Sequence, residues 1–191
     1  MEGSGKKGFV VFLVKFIGIF LLLYYGSLGV VGITAPGGGY HSEFVSEYLD
    51  FVKGIQTSLI LGAHYLLYFF GIDTSWTDEY RFFVVGGKAV IVYYGCAGLG
   101  VMSFWIAFIL AGTTGAYRKF LWLIGGLLLL WFINVCRIAL FLMAVNNGWP
   151  MPFGVDHHTW FNIVAYGAIF ILILFHERSA YSNLPSKKEP S

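Results

Sequence analysis

Four stretches of the chain are long and almost continuously apolar: residues 8–33, 97–112, 121–145 and 160–175. A helix needs about 20 apolar residues to cross the hydrocarbon core of a bilayer. Each stretch therefore predicts a membrane helix, the second once it is extended from Cys96 into Thr114. A fifth stretch, residues 46–71, has a different pattern. Glu47, Asp50, Lys53, Gln56, Ser58 and His64 recur among its apolar residues. That spacing predicts an amphipathic helix with one polar face, suited to an interface or a protein-covered position rather than to lipid. Residues 80–94 change period again. Two β-rich runs flank Gly86-Gly87-Lys88, which predicts a β-hairpin.

Composition excludes a soluble domain. Of 191 residues, 58% are hydrophobic, 19% aromatic and only 12% charged, against about 25% charged in a soluble domain. A net charge of +2 is too small to point to nucleic acid. The placement of the charges is more informative. Lys6 and Lys7, then Arg118 and Lys119, then Arg178, Lys187 and Lys188 mark cytoplasmic segments, and the 146–156 loop has neither lysine nor arginine. Both ends then lie inside, with residues 1–7 and 177–191 as cytoplasmic tails. The apolar run after Met1–Lys7 is too long for a signal peptide, and Lys15 is near enough to the end to snorkel. The expected architecture is an all-α polytopic membrane protein, one domain over residues 1–191. It has about four transmembrane helices plus an extracytoplasmic amphipathic helix and β-hairpin. The alternative is six crossings, with residues 46–71 and 82–96 both spanning. Gly86-Gly87-Lys88 in mid-membrane argues against it.

Arg137 is the residue this architecture must explain. A charge in a helix otherwise almost entirely apolar costs about 2.5–3.5 kcal/mol on insertion scales, and such residues usually serve a wet cavity or a partner. Asn134 lies one turn away on the same face. Together they either anchor helices or present a fixed cation to a carboxylate or an oxyanion. Cys96, between glycines and at the expected outer start of a helix, is placed where a thiolate is favoured; the alternative is a small packed thiol. Cys136, in mid-helix, reads as packing. The two cysteines are forty positions apart and form no metal-type spacing. Asp156, His157 and His158 stand at the outer start of the last helix. A metal cluster of these with His64 is conceivable, but adjacent histidines on a helix point about 100° apart. No metal and no cofactor is called for. His64 reads as a core or interfacial histidine, and His176 as a cation near a helix C-terminus. A thiol, an imidazole and a guanidinium at one face are what acyl transfer requires: a nucleophile, a proton carrier and an oxyanion partner.

Three short motifs carry a family resemblance. Cys96-Ala97-Gly98-Leu99, Asn134-Val135-Cys136-Arg137 and His158-Thr159-Trp160-Phe161-Asn162 occur in this order, each in its own apolar segment. The arrangement resembles the exosortase/archaeosortase family, over roughly residues 46–175, and is most similar to small bacterial members with Asp-His-His before the last helix. The chain is shorter than the larger exosortases. The resemblance implies a membrane-embedded cysteine peptidase or transpeptidase, sortase-like, working through a thioester. Its substrates would be exported proteins with a C-terminal sorting tag and membrane helix, and an envelope lipid or glycan is a candidate acceptor. It implies the bacterial cytoplasmic membrane, with the active site at the extracytoplasmic face. Cys96, Arg137 and His158 would be catalytic, with His157 as the alternative histidine and Asn134, Asp156 and Asn162 in support. Tyr93, Tyr94, Trp105 and Trp149 are candidates to line the substrate's approach. The competing readings are a non-enzymatic scaffold or assembly factor, or a small transporter in which Arg137 lines a polar path.

Overall fold

The structure, a computed structural model, describes residues 2–34, 50–77, 80–149 and 157–181. Helix α1 runs Glu2–Thr34 and α2 runs Phe51–Phe69. The strands β1 (Thr74–Trp76), β2 (Arg81–Val84) and β3 (Ala89–Ile91) follow, then a 3-10 turn at Tyr94–Ala97. The chain continues as α3 (Leu99–Ala111), α4 (Ala116–Asn147) and α5 (His157–Tyr181). Four segments are helical, long and apolar enough to cross a membrane: Lys6–Thr34, Tyr94–Ala111, Ala116–Asn147 and Asn162–Ser179. The chain therefore has the character of a multi-pass membrane protein. Residues 82–96, which six crossings would require as a helix, are mostly strand and turn.

The spans pack through aromatic and small residues, because lipid supplies no hydrophobic drive to bring helices together. Phe12, Phe16, Phe20 and Tyr24 recur every fourth residue on α1 and stack face to face, centroids 5.8–6.2 Å apart. Phe104 and Phe108 of α3 meet this stripe edge-on. Behind them, α3 and α4 close on Trp105, which is fully buried and donates its indole N–H to Trp122 O at 3.2 Å. Trp105 is thus core, not part of any approach route. Gly126 makes this fit possible: a Cβ there would stand 2.1 Å from Trp105 Nε1. Gly126→Val should cost about 1–3 kcal/mol by overpacking, read as a lower aggregation temperature in detergent; an unchanged temperature would mean that Trp105 has room to move.

Helix α2 is protein-covered on one face, and that face carries Gln56 among apolar residues. Val52, Gln56, Leu59, Ile60, Ala63 and Leu67 are buried, and Gly62 lets Val135 and Trp131 of α4 come close. The polar residues are tied to neighbours. Asp50 caps the helix by accepting from Lys53 N at 2.9 Å. Gln56 Nε2 donates to Val92 O at 2.9 Å, and Trp131 Nε1 donates to Ser58 Oγ at 3.1 Å. The opposite face exposes Tyr65, Tyr68, Phe69 and Phe70. The helix ends at Gly71 (φ +75°), where Ile72 N–H reaches Leu67 O and Gly71 N–H reaches Tyr68 O. That pairing satisfies carbonyls which would otherwise be orphaned, and it requires the left-handed conformation glycine adopts freely.

The three strands form one antiparallel sheet in the order β1-β2-β3. β2 and β3 are the arms on either side of the glycine turn, with Phe82 opposite Val90; β1 is an additional strand, pairing Ser75 with Phe83. The sheet is fastened to the C-terminal end of α4 by Asn146, whose Oδ1 accepts from Lys88 N at 2.7 Å and whose Nδ2 donates to Lys88 O at 3.2 Å. Phe82, Val90 and Val92 complete one core with α2 and α4.

Candidate active site

The sheet, the turn after it and the C-terminal half of α4 bring together Cys96, Asn134 and Arg137 of the residues that the sequence singled out. β3 leads directly into the 3-10 turn that carries Cys96. The turn closes through Cys96 N–H donating to Tyr93 O at 2.8 Å, and it hands over to α3 at Gly98, φ +70°. Cys96 therefore sits in the 3-10 turn two residues before the cap of α3, near the helix start expected from its flanking glycines. Glycine in the left-handed region bends the chain sharply enough to aim the turn at α4. A Cβ at position 98 would stand 2.3 Å from Asn134 Nδ2, so the turn lies directly against the buried Asn134.

Two cavities meet at Arg137. One, of about 310 Å3, is lined by residues 89–93 of the β3 run, by Cys96, and by Arg137, Ile138, Phe141 and Val145 of α4. The other, of about 170 Å3, is lined by Tyr24 of α1, Tyr94, Gly98, Asn134, Arg137, and Asn162 and Tyr166 of α5, among others. Arg137 is 8% exposed and Asn134 7%, so Arg137 lines both cavities from a largely buried position. Cys96, two elements away in the chain, is half-buried and opens to the larger cavity with it. Asn162 joins Asn134 and Arg137 in the smaller one. Tyr93 borders the first cavity and Tyr94 the second.

The histidine corner is only partly described. His157 and His158 form the first turn of α5, and Asn162 lies one turn beyond His158; the side chains of both histidines, and Asp156 with them, lie outside the described residues. His64 is occupied structurally: its Nδ1 is 2.7 Å from Thr74 Oγ1, and its ring packs beside Tyr65 and Trp76. His176 was expected as a terminal cation but is buried, held edge-on by Phe108 and Trp122, with Glu177 Oε1 3.5 Å from Nδ1. Near the sheet, burial pushes the Tyr80 phenol pKa up, and the Asp50 carboxylate adds to the shift.

Several residues of the site were not singled out by sequence. Tyr24 and Tyr166 were read only as parts of spans, and nothing in the pattern marks them. Gln56 fixes the Val92 carbonyl at the end of β3; its place on the polar face of residues 46–71 is its only signal. Gly98 was noted as a neighbour of Cys96, but the close approach of Asn134 depends on tertiary contact. No family model matches the chain, and no curated protein or solved structure matches it.

Proposed function

We propose that the chain is a membrane-embedded cysteine peptidase or transpeptidase that processes C-terminal sorting signals of exported proteins, as its exosortase-like motifs imply. The observation that carries this reading is the shared cavity. Cys96 and Arg137 are far apart in sequence and rest on different elements, yet they line one cavity beside a strand. In this reading the Cys96 thiolate attacks a peptide carbonyl. Arg137 stabilises the resulting oxyanion or holds the substrate. His158, with His157 as the alternative, protonates the leaving amine, and collapse leaves an acyl thioester on Cys96. Water or an acceptor amine then attacks the thioester and releases the thiolate. Asn134 and Asn162 support the guanidinium from the smaller cavity.

The length of α4 supports a site at the membrane edge. Its 32 residues rise about 48 Å, against about 30 Å for the hydrocarbon core. Arg118 stands near its start, and Arg137 follows 19 residues on, about 28 Å away. With Arg118 at the cytoplasmic interface, Arg137 falls at the opposite one, which makes its charge far less expensive than at mid-depth. The sheet, fastened to the far end of α4 by Asn146, then stands over the extracytoplasmic face, while α2, whose Ser58 and Gly62 meet Trp131, reaches down beside α4 into the outer leaflet. In a bacterial cell the membrane concerned is the cytoplasmic one.

A direct test follows the covalent intermediate. Membranes containing the protein and an exported substrate with a C-terminal membrane helix should yield an acylated Cys96 peptide by mass spectrometry. The acyl group should leave with hydroxylamine, and iodoacetamide should stop processing. Processing that continues after Cys96 is fully alkylated would exclude the thioester mechanism. It would favour instead a scaffold, in which Arg137 and Asn134 only hold helices together.

A further inference from the structure

We infer that the free edge of β3 is the docking strand for substrate. In this arrangement an extended peptide segment next to the scissile bond adds to the sheet as a fourth strand along Ala89 and Ile91. The inference rests on the peptidase reading of Cys96 and adds how substrate is held.

Among the described residues, strand order leaves β3 at an edge, and the ladder fixes which of its backbone groups β2 leaves unused. Thr77 N–H donates to Arg81 O, and Val85 N–H donates to Asp73 O, so the odd-numbered residues of β2 face β1. Tyr80 O accepts from Val92 N–H, so the even-numbered ones face β3. In an antiparallel pair, bonded and non-bonded residue pairs alternate. Phe82 and Val90 are then a bonded pair, while Arg81–Ile91 and Phe83–Ala89 are non-bonded pairs in the same register. The N–H and C=O groups of Ala89 and Ile91 therefore point away from β2, towards the open side. Their side chains are exposed too, Ile91 at 43%.

An edge of this kind is a template for another strand, and proteins usually blunt it with charge, proline or a covering element. Ala89, Ile91 and Tyr93 carry neither charge nor proline, and none of the described strands pairs with them on that side. The larger cavity runs along this segment and reaches Cys96 and Arg137. At about 310 Å3 it is at the small end of ligand pockets, which run from about 300 Å3 upwards. That size fits a few residues of extended chain and excludes a folded domain. The lining supplies what such a segment needs: main-chain groups in alternate register, apolar contacts from Ile138, Phe141 and Val145, and a guanidinium for a carbonyl or oxyanion. Strand addition obtains affinity from main-chain bonds and so tolerates varied side chains. The edge also leads straight into the turn bearing the nucleophile, so a segment in register on β3 has its next carbonyl near the thiol.

The test uses probes whose backbone can be altered without touching the protein. Tetrapeptides of alanine and valine ending in a vinyl sulfone are compared with isomers in which one amide is N-methylated. Alkylation of Cys96 in the full-length protein is followed by mass spectrometry, with iodoacetamide as a probe that has no peptide backbone. Strand addition predicts alternation: methylation at every second amide slows alkylation tenfold or more, and methylation between them changes it less than twofold. Ile91→Pro, which removes an N–H that the β2 ladder does not use, should slow the peptide probes tenfold and leave iodoacetamide unchanged. Equal rates for every methyl isomer, with Cys96 still alkylated by the peptide probes, would overturn the docking strand while leaving the thiol reading intact. Failure of every probe, iodoacetamide included, to alkylate Cys96 would overturn both. Slow amide exchange at Ala89 and Ile91 in the protein alone would also overturn the proposal. It would assign the edge to a second copy if dilution relieved it, and to the chain's own segments if dilution did not.

Discussion

Cys96→Ala is expected to abolish processing of a tagged substrate, a loss on the order of 10^4-fold or more, because removal of a nucleophile leaves only binding and electrostatics to accelerate the reaction. The substitution deletes one sulfur atom from a half-buried turn. The turn is held by the Cys96 N–H to Tyr93 O bond, which alanine keeps. Thermal stability should therefore move by less than about 1 kcal/mol. The pairing of these two results is diagnostic. Full processing by a folded Cys96→Ala protein would remove the thiol from the mechanism. Loss of processing together with loss of fold would instead mark Cys96 as packing. Arg137→Lys is a useful companion in the same assay, since lysine keeps the charge but not the planar fork of donors.

Gly98→Ala should be nearly as damaging to activity, by a different route. Alanine in the left-handed region costs roughly 1–2 kcal/mol, and Gly98 has φ +70°. The new methyl would also meet Asn134 Nδ2 at 2.3 Å. Relief comes from the Asn134 amide swinging into the smaller cavity it lines, from the turn, or from both; the first disturbs the surroundings of Arg137 and the second carries Cys96 away from the cavity it shares with Arg137. The expected result is a thermal transition lowered by several degrees and a fall in processing much larger than the fraction unfolded explains. Combining Gly98→Ala with Asn134→Ala removes the clash but not the backbone strain. The double variant should recover part of the stability that Gly98→Ala loses. A double variant no more stable than Gly98→Ala would place the whole effect in the backbone.

The helical spans were legible because lipid imposes one rule on every residue of a segment, so a run such as 121–145 declares itself by composition alone. The polar residues of α2 were harder. Gln56, Ser58 and His64 suggested a polar face for an interface or a protein-covered position, and each is satisfied by a specific neighbour: Val92 O, Trp131 Nε1 and Thr74 Oγ1. Sequence spacing records that a residue is polar, not who pairs with it. Trp105 and Trp149 illustrate the same limit. Both were candidates to line the substrate's approach; one is wholly buried and the other is 51% exposed, and the buried one fits against Gly126 on the facing helix.

By itself, the sequence determined that this chain crosses a membrane, where its long helices fall, and which few polar residues stand among them. These are consequences of transfer energies, which add residue by residue and need no knowledge of neighbours. Tertiary structure alone decided that Cys96 and Arg137 line one cavity, that Gly98 sets the turn against Asn134, and that β3 stands at the edge of the described sheet along that cavity. Those are relations between elements distant in the chain. They depend on packing at ångström scale, where a missing Cβ or one hydrogen bond selects the arrangement, and no local pattern encodes them.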